Sequence, residues 1–242
     1  MHQPFANSTL GNIVAQDYHA AAIFERHGLD FCCGGRTSLS EACRERGLDL
    51  AAIAAELGHR AATPPEASPD DPDELVSHII ARHHAYVREA IPSIQAHLAK
   101  VIAAHGRRHP EVIRISGHFD VLAEELTLHL AKEEQILFPY IHTLAAALRN
   151  GAPPPPDMFG TVQNPIRMME SEHQHAGDEL AEIRALSSGY EPPADACATY
   201  RLVYTELRAF DSDLHRHVHL ENNVLFPRAI EIEAQLERRG RI

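Results

Sequence analysis

Tryptophan is absent from the 242 residues, and aromatic side chains make up only 6% of them. A core built from this chain must therefore rest on aliphatic side chains and alanine. Positive charge is short as well: 22 Lys and Arg stand against 34 Asp and Glu, a formal balance of −12 with His neutral. No Lys/Arg stripe offsets that deficit, which argues against a nucleic-acid or anionic-membrane surface as partner. Long apolar runs are missing, and none approaches the roughly 20 residues that cross a bilayer. The opening Met1-His-Gln-Pro-Phe5 has neither the charged nor the apolar region of a secretory signal. Cysteine is scarce: Cys32, Cys33, Cys43 and Cys197. Two of the four are adjacent, a poor plan for a disulfide framework and a better fit to a reducing compartment. These absences lead us to expect a cytoplasmic protein.

The chain is instead rich in Ala, Leu, Glu and Arg with few β-branched runs, a composition that favours helix throughout. A small helical region is expected over 1–60. Its Phe31-Cys-Cys-Gly-Gly35 segment forms a loop, Ser38 with Glu41 a capping box, and Asp49 an N-cap for a helix ending near Leu57-Gly58. Residues 61–71, proline-rich and without apolar periodicity, read as a linker. Over 72–242 we expect an antiparallel four-helix bundle, so the fold class is all-α. Its first helix begins near Pro72 and carries Val76, Ile80, Val87, Ile91, Ile94 and Leu98, with Pro92 a kink. A break falls at Pro153–Pro156, Asn164-Pro165 starts the third helix, and a second stop lies around Gly189–Pro193.

The 18 histidines carry information through their positions. His129-Leu-Ala-Lys-Glu133-Glu-Gln-Ile-Leu-Phe-Pro139 returns as His217-Val-His-Leu-Glu221-Asn-Asn-Val-Leu-Phe-Pro227. A four-residue spacing leaves His and Glu about 40° apart on one helix face. The second helix's apolar seam reads Phe119, Leu122, Leu126, His129, Glu133, Ile136, Tyr140. The fourth reads Val203, Leu207, Phe210, Leu214, His217, Glu221, Val224, and the third Ile166, Met169, His173, Ala176, Leu180, Ile183. In each, a candidate ligand takes a place where an inward aliphatic is expected. His215 and His219 lie off the seam and are expected in solvent. On the first helix His83 and His84 both fall on the stripe; only His84 keeps the three/four alternation with Val87, Ile91, Ile94 and Leu98.

Breaking a buried charge pair costs roughly 3–5 kcal/mol, against a domain stability of about 5–15 kcal/mol. Two inward glutamates on seams without Lys or Arg therefore need compensation, and bound dications supply it. Each carboxylate can bridge, so six ligands shared by two ions give each ion two His and two Glu. Coordination stays incomplete, which leaves room for an oxygen bridge and a small molecule. Mixed imidazole and carboxylate ligation suits iron, less surely manganese or zinc. The Glu-x-x-His pattern of ferritin-type bundles does not occur at these positions.

The His-x-x-x-Glu pattern resembles the hemerythrin-like family. Together with Asp30-Phe-Cys-Cys-Gly-Gly35, Met169-Glu-Ser-Glu-His173 and Leu220-Glu-Asn-Asn-Val-Leu-Phe-Pro227, it resembles more narrowly the repair-of-iron-centres family, over nearly the whole chain. The resemblance implies two non-haem iron ions, carboxylate-bridged and oxo- or hydroxo-bridged, on His84, His129, Glu133, His173, His217 and Glu221. Glu125 and Glu172 would then form a polar shell beside them, although solvated helix acids are an equal reading. Oxygen-carrying hemerythrins place a further His one turn after His173, where this chain has Gly177; that departure implies a more open, reactive centre. The implied function is repair of iron–sulfur clusters damaged by nitric oxide or peroxide, through iron donation, nitric oxide reduction, or both. A gas sensor or carrier of oxygen or nitric oxide without turnover is the competing reading.

Cys32 and Cys33 precede a helix start, where a thiolate should be stabilised and its pKa lowered. The family motif gives them a redox or iron-transfer role, against a bland one of one buried and one incidental thiol. Cys43 and Cys197 read as inert packing residues. Damaged iron–sulfur proteins and small gases are the implied partners, with no nucleic acid and no membrane. The apolar face of the small region leaves a homodimer open.

Overall fold

The computed structural model describes residues 5–17, 19–60, 69–153, 155–156 and 159–240. Most of the expected linker, 61–68, the first four residues and Pro154 of the expected break lie outside them. Among the described residues the chain is helical and forms no strand, only an isolated bridge between Thr9 and Ser38. It is an all-α protein, a small helical region followed by a helical bundle. No described helix is long and apolar enough to cross a membrane.

The chain divides into two compact units. One comprises Met1–Ser77, Ile141–Gln163 and His215–Ile242; the other comprises His78–Tyr140 and Asn164–Leu214. In the first unit four short helices, α1 (Leu10–Gln16), α2 (Ala20–Arg26), α3 (Leu39–Arg46) and α4 (Leu50–Arg60), enclose Leu10, Ile23, Phe24, Phe31, Leu39 and Ile53. Ser38 caps α3, its side chain accepting from Glu41 N. Asp49 accepts from Ala51 N at 2.8 Å at the head of α4. Helix α4 does not stop at Leu57-Gly58. Gly47 ends α3 because it adopts φ 65°, whereas Gly58 stays within the helix. A glycine in the left-handed conformation is a common way to end a helix, and Gly47 takes it.

The second unit is built on α6 (Ala85–His105), α7 (Glu111–Lys132), most of α9 (Gln163–Leu186) and the larger part of α10 (Ala198–Leu220). Helix α6 runs on through Pro92. Phe119 and Phe210 meet edge to face, 5.4 Å between centroids. Asp211, 3% exposed, accepts from Arg184 Nε at 3.0 Å and from the Tyr190 hydroxyl at 2.7 Å. Helix α9 begins at Gln163, where Thr161 Oγ1 accepts from Gln163 N, rather than with Asn164 as cap. Pro165 is tolerated at its third position because the first-turn N–H groups have no partner inside the helix.

Three five-residue π turns interrupt this helical pattern: Ile80–His84 after α5 (Pro72–Ile79), Glu133–Leu137 before α8 (Phe138–Asn150), and Glu221–Leu225 before α11 (Phe226–Gly240). Phe138 N bonds Glu133 O and Phe226 N bonds Glu221 O, five residues back. In α geometry the rings of Pro139 and Pro227 would press on the carbonyls four residues earlier, Gln135 and Asn223; widening the turn moves them away.

The first two π turns also shift the buried stripe by one residue, and the seam expectations on those two helices fail in part for that reason, whereas Val224 in the third is buried as expected. Ile136 is 47% exposed while Leu137 is buried. Likewise Leu75 and Ile79 are fully buried, whereas Val76 and Ile80 are only half-buried. Ile91 is half-buried too.

Candidate metal centre

His129, at the end of α7, and Glu133, the first residue of the following π turn, are buried at 3% and 0% exposure. The Glu133 carboxylate lies between two imidazoles from different helices. Its Oε1 is 3.3 Å from His129 Nε2 and its Oε2 is 3.4 Å from His84 Nε2. His173 on α9 brings its Nε2 to 2.9 Å from that of His129. Ligand atoms of His129, Glu133 and His173 all lie within 4.8 Å of one another. These four residues belong to the second unit. In the first, His217 and Glu221 repeat the pair, with His217 Nε2 3.0 Å from Glu221 Oε1 and both side chains buried.

The outer nitrogens explain why the inner ones point inward. His84 Nδ1 is 2.7 Å from Glu134 Oε1, and Arg88 holds the same carboxylate oxygen at 2.8 Å. His129 Nδ1 is 2.8 Å from Glu172 Oε2, and Lys132 pairs with the other oxygen of Glu172. An Nδ1–H held by a carboxylate leaves the Nε2 lone pair for a cation. Both acids are partly desolvated, which by itself would raise their pKa. Their His and cation partners more than offset this and hold Glu134 and Glu172 below the usual carboxylate range.

His83 takes a different course, its Nδ1 3.1 Å from Asp213 Oδ2. Glu125 pairs with His175 at 3.3 Å, both about half exposed. A pocket of about 260 Å³ is lined by Glu125, His129, Lys132, Glu172, His173 and His175. A Cβ built on Gly177, one turn after His173, would meet nothing within 4 Å.

Two family descriptions match this chain. The hemerythrin HHE cation binding domain covers residues 75–229, and the ScdA_N domain, described as a domain of unknown function (DUF542), covers 6–61. A protein of Yersinia pseudotuberculosis serotype IB (strain PB1/+) named iron-sulfur cluster repair protein YtfE is 36% identical over 95% of this chain and 99% of its own length. Its namesake in Yersinia pestis (strain Pestoides F) is equally similar, with the same coverage. The chain belongs to the repair-of-iron-centres family. All six His and Glu residues of the expected ligand set fall inside the cation-binding span of that family's hemerythrin region, and Cys32 and Cys33 fall inside its ScdA_N region.

In that amino-terminal region the thiols are not arranged as expected. Cys32 Sγ lies 3.8 Å from Cys33 Sγ and 3.2 Å from Asp30 Oδ1, and the Asp30 carboxylate also accepts from the backbone N–H groups of Cys32, Cys33 and Gly34. The hydrogen bond to Cys33, burial, and the negative charge of Cys33 and Asp30 push the Cys32 thiol well up, not down. Helix α3 starts at Leu39, not directly after the cysteines. Cys43 is buried as expected, but Cys197 is exposed.

His219 is also misplaced by periodicity. It is 1% exposed, its ring is 5.6 Å from that of Phe31, and burial pushes its pKa down to about 4. His215 is half-buried, its ring 6.4 Å from that of Phe31. The small region shields both, and a helical-wheel argument confined to the bundle could not include that region.

Glu134, Arg88 and Lys132, which hold the outer face of the site, and Asn223, whose amide donates to the carbonyls of Phe31 and Cys32, are not singled out from the sequence. Glu134 gave one signal, a second acid directly after Glu133; the other three look like ordinary surface residues until the helices are brought together.

Proposed function

We propose that this chain acts in the repair of iron–sulfur clusters and holds two non-haem irons on His84, His129, Glu133, His173, His217 and Glu221. Glu133 carries the reading: a fully buried carboxylate with one oxygen toward each of two imidazoles is arranged to bridge two cations. Glu221, equally buried and paired with His217 in the repeated motif, is assigned the second bridging place. His84 is assigned as ligand over His83 because Glu134 fixes its ring with Nε2 on Glu133. We divide the chain by function at the linker 61–71, with the cysteine loop in 1–60 and the iron-holding bundle in 72–242.

The donor set fits iron: nitrogen and carboxylate oxygen, with no thiolate among these six residues. Iron held there would supply electrons and open coordination positions for binding nitric oxide, and a source of metal for a damaged cluster. The protein's own residues do the rest. Glu134 and Glu172 hold the Nδ1 protons of His84 and His129, keeping each Nε2 a lone-pair donor. The pocket lined in part by His129 and His173 and the open space at Gly177 give a small molecule a way in. That access favours reaction with nitric oxide alongside iron donation. It gives less support to a sensor or carrier that only binds a gas.

Anaerobic reconstitution with ferrous iron, followed by metal analysis and Mössbauer spectroscopy, tests the centre. Two irons per chain are expected in the wild type. Glu133→Leu and Glu221→Leu should each lose iron while keeping their helical circular dichroism, and retention of both irons in either variant overturns the bridging assignment. For the reaction, the reduced protein should convert added nitric oxide to nitrous oxide above a free-iron control. For donation, it should restore an apo-cluster enzyme better than chelator-trapped iron does.

A further inference from the structure

The helix turn that carries His217 and Glu221 carries a second pair, His219 and Asn223, at the same four-residue spacing. Two residues advance a helix by about 200°, so the second pair looks away from the first. It faces the cysteine loop. Asn223 Nδ2 donates to Phe31 O at 3.2 Å and to Cys32 O at 3.0 Å. Its Oδ1 fills the space beside two glycines: a Cβ on Gly35 would meet it at 2.3 Å and one on Gly11 at 2.5 Å. Gly11 N in turn donates to Gly35 O at 2.9 Å, so the loop is closed between α1 and the π turn. His219 stands against the Phe31 ring and 3.3 Å from the Asn223 amide. The first copy of the repeat has Ala131 and Gln135 at the corresponding positions, so this arrangement belongs to the second copy alone.

We propose that Asn223 is a positioning residue that couples the Cys32–Cys33 thiols to occupancy of the metal centre. The π turn Glu221–Leu225 is the shared element. It is a π departure from α geometry, and it presents Glu221 on one side and Asn223 on the other. Metal on Glu221 and the amide clamp on the loop stabilise the same turn. Each therefore strengthens the other, as linkage requires of two ligands favouring one state. With metal bound the loop is held and the thiols are protected; with metal gone the turn relaxes, the clamp loosens and the half-buried Cys33 becomes reactive. The chain would expose its thiols when its iron has been given up.

This inference rests on the metal-binding reading above, and the test separates the two. Full-length protein is prepared apo and iron-loaded without oxygen, metal content is measured, and each cysteine's alkylation rate by iodoacetamide is followed by peptide mass spectrometry. The exposed Cys197 serves as internal reference. Iron should slow alkylation of Cys32 and Cys33 by at least about fivefold, the lower end of typical couplings, and leave Cys197 unchanged. In Asn223→Asp, which keeps the shape but loses both N–H donors, the two thiols should react fast with or without iron. Asn223→Ala gives the same comparison should the aspartate variant fail to fold. A chain that takes up no iron sinks the metal reading. One that takes up iron with equal thiol rates in both states, or with the protection intact in both variants, sinks the coupling alone.

Discussion

Glu133 sets the chemistry at the residue scale because a carboxylate without solvent exposure is tolerable only in the company of positive charge. Its neighbours are aimed by carboxylates of their own, Glu134 behind His84 and Glu172 behind His129. Removing either support should loosen a ring rather than delete a ligand. Glu172→Gln is expected to retain iron but weaken its binding about 10–100-fold, read by competition with a chelator; unchanged affinity would show that Glu172 does not steer His129. Gly177 tests access. Gly177→His should fold, since its side chain enters open space, and should still load iron. Its nitric oxide consumption should fall about tenfold, equivalent to roughly 1.4 kcal/mol in the barrier. An unaltered rate would mean that the open space beside His173 plays no part.

At the scale of elements, the π turns decide which residues face inward. A strict α pattern places Ile136 in the core; the extra residue in Glu133–Leu137 turns it out and brings Leu137 in. Ile136→Ser should therefore change stability by no more than about 0.5 kcal/mol, whereas Leu137→Ala should cost about 2–5 kcal/mol in denaturant unfolding. A second link joins the start of α7 to the segment before α10. His109 Nδ1 is 2.9 Å from Glu111 and its Nε2 is 3.0 Å from Asp195, which Arg108 also approaches, while the rings of His105 and Tyr200 pack beside it. The hydrogen bond to Glu111 raises the His109 pKa; burial opposes it, and the hydrogen bond and charge of Asp195 leave the value above its ordinary one. The folded state thus binds this proton more tightly than the unfolded one. The stabilisation is complete below about pH 6.5 and is lost as the pH rises through the elevated folded value. Amide exchange around Asp195, corrected for intrinsic rate, should be slower at pH 6 than at pH 8, and that difference should vanish in His109→Gln.

For the molecule as a whole, binding and stability are one quantity. A ligand that binds only the folded state raises stability by RT ln(1 + [L]/Kd), about 2.7 kcal/mol at one hundred times Kd. Stripping iron should lower the unfolding midpoint of the wild type. Glu133→Leu, which removes a buried carboxylate and leaves only imidazoles that can stay neutral, should in the apo state be at least as stable as the apo wild type. An apo variant less stable than the apo wild type would show that the buried acid is satisfied by the protein alone.

Spacing and residue type, both local, determined much by themselves. They marked the helical class, the repeated His-x-x-x-Glu pairs, the inward places of His129, Glu133, His173, His217 and Glu221, the cap at Ser38, and a preference for His84 over His83 that rested on one alternation. Residues distant in sequence needed the tertiary structure. Only there does Glu134 meet His84, does Glu172 reach His129 across from another helix, and does the small region bury His219. Only there do the contact with Cys33 and burial raise the Cys32 thiol that a helix start was expected to lower. The π turns stand between the two cases: Pro139 and Pro227 are visible in the chain, but whether the backbone widens or kinks before them depends on what the preceding carboxylate and amide hold in the folded protein.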